Sequence, residues 1–185
     1  NIYITLLFCL FFSKSHSQDL HDYVNTIIGS KDNGLSSGYT FIGATYPFGM
    51  VQFTPSFFSP NKGFVVTQLS GAGCPNMGNF PVMAISNEIK KSPNNMESYD
   101  GYKSIKDSKA GLLSVEMNDG TQISVTATKR TAVAKFKFGA SDKGTVIIGS
   151  GINSTKVNDA FVTNTSLKSC EGYACLLYTS DAADD

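Results

Sequence analysis

The chain has 185 residues, 15 Lys and Arg against 15 Asp and Glu, and a mean hydropathy of −0.07, so its formal charge at pH 7 is zero. There is no basic stripe, and the aromatics are interleaved with glycine and proline instead of arginine, which argues against a nucleic-acid-binding protein. The length suits about one domain, and a neutral ligand such as a sugar would suit so balanced a surface.

Residues 1–17 open without Met and carry the apolar run Ile2–Phe12, followed by Ser15-His16-Ser17. That run is too short for a stable bilayer-spanning helix and fits the core of a signal peptide truncated at its start, with cleavage expected before Gln18. A truncated membrane anchor or a buried strand is the plainer alternative, and the abrupt change to polar sequence at Ser13 argues against the strand. The expectation is a secreted or periplasmic protein with no membrane contact after cleavage. At the other end, residues 175–185 depart in composition from what precedes them and read as translated library-adapter sequence, with Cys175 either native or adapter. Residues 18–174 are then the domain. Setting Lys14 aside with one end and Asp181, Asp184 and Asp185 with the other leaves fourteen Lys and Arg against twelve Asp and Glu.

Within the domain, residues 39–78 carry glycines at 43, 49, 63, 71, 73 and 78 and prolines at 47, 55, 60 and 75. That density excludes ordinary helix and uninterrupted strand, leaving short strands and tight turns. Phe41, Tyr46, Phe48, Met50, Val51, Phe53, Phe57, Phe58 and Phe64 sit between the breakers, enough apolar surface for a packed wall of the kind that lines sites. From Leu112 the pattern becomes regular. Leu112–Met117 and Thr121–Thr128 flank Asn118-Asp119-Gly120, the turn chemistry of a hairpin. Ala132, Ala134, Phe136 and Phe138 alternate with Val133, Lys135 and Lys137, which predicts a half-buried antiparallel strand. Thr145–Ile148 and Ala160–Thr163 are further predicted strands. No window shows a sustained 3.6-residue apolar period, so the expected fold class is all-β, a two-sheet antiparallel β-sandwich.

Few residues suggest chemistry directly. Val146-Ile147-Ile148-Gly149-Ser150-Gly151 opens like a dinucleotide-binding turn, but Ser154 stands at the third glycine position and no amphipathic helix follows, so a strand ending in a glycine turn explains it. Asn153-Ser154-Thr155 and Asn164-Thr165-Ser166 match the glycosylation acceptor pattern, which Asn-rich turns also produce by chance. Cys74 and Cys170 form neither a zinc pattern nor a disulfide framework, and Cys74 reads as a small buried hydrophobe between glycines. His21 is the single histidine after residue 17, so a Ser-His-Asp or Cys-His arrangement has little to draw on. Asp32, Glu88, Glu97, Asp100, Asp107, Glu116 and Asp119 offer carboxylates, but nothing in the sequence pairs two of them as an inverting glycosidase requires.

Two runs carry a family resemblance. Gly43-Ala44-Thr45-Tyr46-Pro47-Phe48-Gly49-Met50-Val51-Gln52 is followed by Leu69-Ser70-Gly71-Ala72-Gly73-Cys74 and then Gly78-Asn79. Together they resemble the amino-terminal domain of glycoside hydrolase family 92, the calcium-dependent exo-acting α-mannosidases. Asp22–Gly29, Gly111–Val115 and Thr126-Ala127-Thr128-Lys129-Arg130 extend the resemblance over most of residues 22–175. It implies a β-sandwich that forms one wall of a pocket, with the acid, the base and the calcium ligands in a following helical (α/α) barrel domain. On that reading no catalytic or metal residue lies in this chain, the chain alone is inactive, and its partners are a glycan and its own C-terminal catalytic domain. The intact enzyme would remove α-linked mannose with inversion. Where many members carry Gly-Phe-Ser-His-Thr-His, this chain has Gly63-Phe64-Val65-Val66-Thr67-Gln68, and it has no Trp, which puts an α-1,2-mannose substrate in doubt. The candidate sugar-facing residues are Thr67, Gln68, Ser70, Gly73 and Cys74, against the alternative that this run is a turn holding a domain interface. A stand-alone carbohydrate-binding or adhesion sandwich is the rival function, and a secreted structural sandwich without ligand is a third.

Overall fold

The structure, a computed structural model, describes residues 20–30, 42–47, 49–55, 63–66, 80–89, 101–140, 143–149 and 159–175. Among these residues, a 3₁₀ turn at Leu20–Tyr23 is followed by eleven strands: β1 (Ala44–Thr45), β2 (Gln52–Pro55), β3 (Phe64–Val65), β4 (Val82–Ile85), β5 (Tyr102–Lys109), β6 (Leu112–Met117), β7 (Gln122–Ala127), β8 (Ala132–Lys137), β9 (Thr145–Ile148), β10 (Asp159–Ser166) and β11 (Ser169–Cys175). They form a five-stranded sheet in the order β1-β2-β3-β4-β9, a four-stranded meander β5-β6-β7-β8 and a separate ribbon β10-β11, with antiparallel pairing throughout. The fold is therefore an all-β sandwich, as the pattern of the sequence predicts.

The two large sheets face each other across one core. Period-two alternation sends Leu113, Val115 and Met117 of β6 and Ile123 and Val125 of β7 inward, where they meet Ala44, Phe53, Phe64 and Ala84 of the five-stranded sheet. Burial of each large side chain contributes about 1.5–3 kcal/mol before ordering costs. Phe64 is the hub: its ring meets Phe53 edge-on at 5.8 Å and Tyr102 of the opposite sheet at 6.2 Å. The same burial pushes the Tyr102 hydroxyl's pKa up. On the far face of the five-stranded sheet Val65, Met83, Ile85 and Ile147 form a second buried cluster. This sheet is thus buried on both faces, which explains the nearly unbroken apolar sequence of β4.

The predicted hairpin is β6–β7, with Gly120 at φ 82 in its turn. The predicted alternation of β8 is present as well: Ala132, Ala134 and Phe136 are half-buried and pack on the core, while Val133, Lys135 and Lys137 are exposed. Thr145–Ile148 is β9, antiparallel to β4, which is incompatible with the parallel unit of a dinucleotide-binding turn. Two long strands escaped the sequence reading. β11 completes the ribbon with β10, and β5 pairs with β6 through two register shifts, one between Tyr102 and Ser104 and one between Ile105 and Asp107. Each shift inserts one lysine, Lys103 and then Lys106. The two bulges bring onto one face residues that an unbroken strand would turn to opposite faces. Both lysines reach Glu116, at 2.9 and 2.7 Å.

Candidate functional site

The Gly43–Gln52 run is the β1–β2 hairpin and its connection. Gly49 N–H donates to the Tyr46 carbonyl at 2.8 Å, and Pro47 follows Tyr46, where its fixed φ favours a turn. The connection rests on the β7–β8 turn: Met50 N–H donates to the Lys129 carbonyl at 2.7 Å, and the Lys129 ammonium lies 5.7 Å from the centre of the Tyr46 ring. There is no room for a side chain at this crossing, because a Cβ on Gly49 would stand 2.9 Å from the Tyr46 oxygen and 3.3 Å from Lys129 Cα. Two of the family-like segments, residues 43–52 and 126–130, are therefore in direct contact. Tyr46 and Met50 remain exposed beside them, at 45% and 71%.

The other end of the run pairs with β3. Gln52 N–H donates to the Val66 carbonyl at 3.0 Å, and Thr54 pairs with Val65. Val66 immediately precedes Thr67 in the sequence. Thr67, Gln68, Ser70, Gly73 and Cys74 themselves lie outside the described residues. The described chain resumes at Phe80, which holds a left-handed φ of 49° and packs near Gly172 of β11. One residue that the sequence reading did not single out stands out here: the side-chain oxygen of Gln52 is buried and accepts no hydrogen bond from the described residues. The sequence offers no signal for an orphaned acceptor, because orphaning is a property of the surroundings.

The described carboxylates have structural employment. Asp119 accepts from Ser86 N–H at 2.6 Å and from Thr121 N–H at 2.8 Å. Glu88 pairs with Lys143. Glu116 is held by hydrogen bonds from Lys106 and Lys103, which lower its pKa from 4.5 to about 2. A general acid needs the opposite shift, so Glu116 has the wrong environment for that role. Among the described residues no group of three or more His, Cys, Asp or Glu is placed to hold a metal ion. The described residues do not fit a calcium site. Among them, too, no helix is long and apolar enough to cross a membrane.

Comparison with known proteins places this architecture. The glycosyl hydrolase family 92 N-terminal domain matches residues 23–177, and the chain belongs to that family. Among solved structures it is similar to the GH92 family glycosyl hydrolase CcMan5, with a TM-score of 0.68 and 17% identity over 84% of this chain. At that identity the likeness speaks for the fold alone. The chain spans only 24% of that hydrolase. No curated protein matches it. The β-sandwich described above is accordingly a glycosyl hydrolase family 92 N-terminal domain.

Proposed function

We propose that the intact protein is an exported hydrolase that removes α-linked mannose from glycans with inversion, and that this chain supplies one wall of its sugar pocket. The observation that carries the reading is the direct contact of two family-like segments, residues 43–52 and 126–130. The Tyr46–Met50 connection sits on the Lys129 turn, and Gln52 bonds to Val66, which precedes Thr67 in the sequence. A wall assembled from tight turns and backbone contacts is rigid, as positioning a sugar for displacement requires. Thr67, Gln68 and Ser70 offer hydroxyl and amide groups, and Gly73 and Cys74 offer backbone to a close-lying ring. The acid, the base and the calcium ion belong, on this reading, to a following domain. This chain's own part is to bind and orient the sugar and to exclude water from one side.

The test is the intact gene product assayed on α-mannosides, with the anomer of the released sugar followed by NMR. Release of the inverted anomer, abolished by a chelator and restored by calcium, is expected. Gln68→Ala and Ser70→Ala should raise KM in that protein by about tenfold, the loss of one hydrogen bond in a desolvated pocket. Sugar binding without any hydrolysis would favour the adhesion sandwich instead.

A further inference from the structure

The β10–β11 ribbon stands apart from both large sheets, and its strands pair only with each other among the described residues. A lone two-stranded hairpin is marginal in water. Its register puts Phe161 and Tyr173 on one face and Val162 and Gly172 on the other. The Gly172 face leans on the body: a Cβ there would meet the Phe80 ring at 2.9 Å, so the left-handed Phe80 braces the ribbon. The opposite face carries Phe161 stacked on Tyr173 with ring centroids 6.2 Å apart, and the two are 54% and 47% exposed. A second exposed apolar patch is on β9. Val146 and Ile148 of β9, the end strand of its sheet, are 43% and 46% exposed. Gly149 just beyond them donates to Pro81 at 2.9 Å, next in the chain to Phe80, which braces the ribbon.

We infer that the Phe161–Tyr173 face of the ribbon, with the exposed Val146 and Ile148 of β9, is where the polypeptide that follows Cys175 in the intact protein docks. The inference rests on the reading above that the chain is the first part of a longer hydrolase. Three observations select this occupant. The similar hydrolase is about four times as long as the part matched here, of which this chain covers 24%, so a large body has to be seated somewhere. The last strand of the ribbon ends at Cys175. Chain that continues from it leaves from the ribbon itself and is held at high effective concentration beside this surface. Finally, the exposed groups are aromatic and branched aliphatic, the composition of the centre of an interface and unlike a solvated ribbon.

The experiment is hydrogen exchange of ribbon amides 159–175 in the full-length gene product, as wild type, as Ile148→Asp/Phe161→Asp and as Val133→Asp. Val133 is an equally exposed apolar residue at 52%, on the outer face of β8, and serves as the control. Wild type and Val133→Asp should be protected at every protein concentration, and the double variant should exchange at least tenfold faster in the ribbon. Equal exchange in wild type and the double variant overturns the inference. So does protection that grows with protein concentration alongside dimers in sedimentation, which assigns the surface to a second copy, and so does a reading frame that stops at Asp185. Wild-type protection alone still decides against an unprotected ribbon if the double variant does not fold. Sugar release is scored on the same samples. An active protein with an unprotected ribbon sinks the docking face alone, and a protected but inactive one sinks the hydrolase reading alone.

Discussion

Ser86 donates its backbone N–H to Asp119 Oδ2 at 2.6 Å, which ties the end of β4 in one sheet to the turn between β6 and β7 in the other. The contact is the centre of a small polar knot. Asp119 Oδ1 accepts from Thr121 N–H, the Ser86 and Thr121 hydroxyls lie 2.6 Å apart, and Gly139 N–H donates to Ser86 Oγ at 2.7 Å. Ser86 and Thr121 are 2% and 0% exposed, so water does not replace a lost partner. Asp119→Ala should therefore destabilise the chain by about 2–4 kcal/mol, because it strands two buried N–H donors. Asp119→Asn, which keeps one carbonyl acceptor, should cost less. Urea unfolding of both variants checks the order; an Ala variant as stable as wild type would remove the knot from any account of how the sheets are joined.

Glu116 makes stability depend on pH in one direction. Its folded pKa of about 2 lies below its ordinary 4.5, first through the hydrogen bond from Lys106 and then through that from Lys103. The native state therefore binds this proton less readily than the unfolded chain does. The contribution is fully present above about pH 4.5 and is lost as pH falls toward 2. Glu116→Gln should flatten that part of the stability curve, falling below wild type near pH 7 and meeting it near pH 2, with a gap that solvent keeps small because both lysines are largely solvated, 61% and 49% exposed. Thermal melts of wild type and variant between pH 2 and 7 measure the difference, and parallel curves would count against it. High salt should narrow the gap between the two.

The strands legible in the sequence are those with one buried face and an unbroken period. β6, β7 and β8 alternate cleanly, and Asn118-Asp119-Gly120 announces the turn. β5 does not, because Lys103 and Lys106 are inserted residues and the bulges erase the period-two signal. β11 is hidden for another reason: Ser169-Cys170-Glu171-Gly172 has no apolar row, and Gly172 is set by the Phe80 ring that lies against it. In the site, the sequence marks residues 43–52, 126–130 and the Leu-Ser-Gly run as family-like. It did not show that Met50 bonds to Lys129 or that Gln52 adjoins Val66, since both contacts arise between strands of unrelated pattern. The carboxylates illustrate the same limit. Asp119 reads as a turn former, yet half of its role is to hold Ser86, 33 residues away.

Gly49 tests whether the crossing of the Tyr46–Met50 connection with the Lys129 turn is as tight as its geometry. Gly49→Ala places a methyl 2.9 Å from a backbone oxygen and 3.3 Å from a backbone carbon, neither of which can swing aside. The two turns have to part, and the Met50–Lys129 hydrogen bond with them. The expected cost is about 1–3 kcal/mol, as for other overpacked sites. Lys129→Met keeps the stem and removes the charge over Tyr46. It should cost under about 1 kcal/mol, the range of an exposed cation–π contact. Thermal melts rank the two, and the reverse order would mean that the ammonium, not the backbone crossing, joins the segments.

Gln52 separates stability from function. Its side-chain oxygen is buried without a hydrogen-bond donor among the described residues, and a buried acceptor left unpaired costs about 1–3 kcal/mol. Replacing the amide with an apolar group of similar length, Gln52→Met, removes that penalty. It also leaves the strand untouched, because the pairing with Thr45 and the bond to Val66 use only backbone. The variant should be at least as stable as wild type in urea. If the amide is kept because it meets a donor from the sugar or from the rest of the intact protein, the same substitution should lower kcat/KM there by about tenfold or more. A variant that is both less stable and fully active would show that the oxygen finds its donor within this chain.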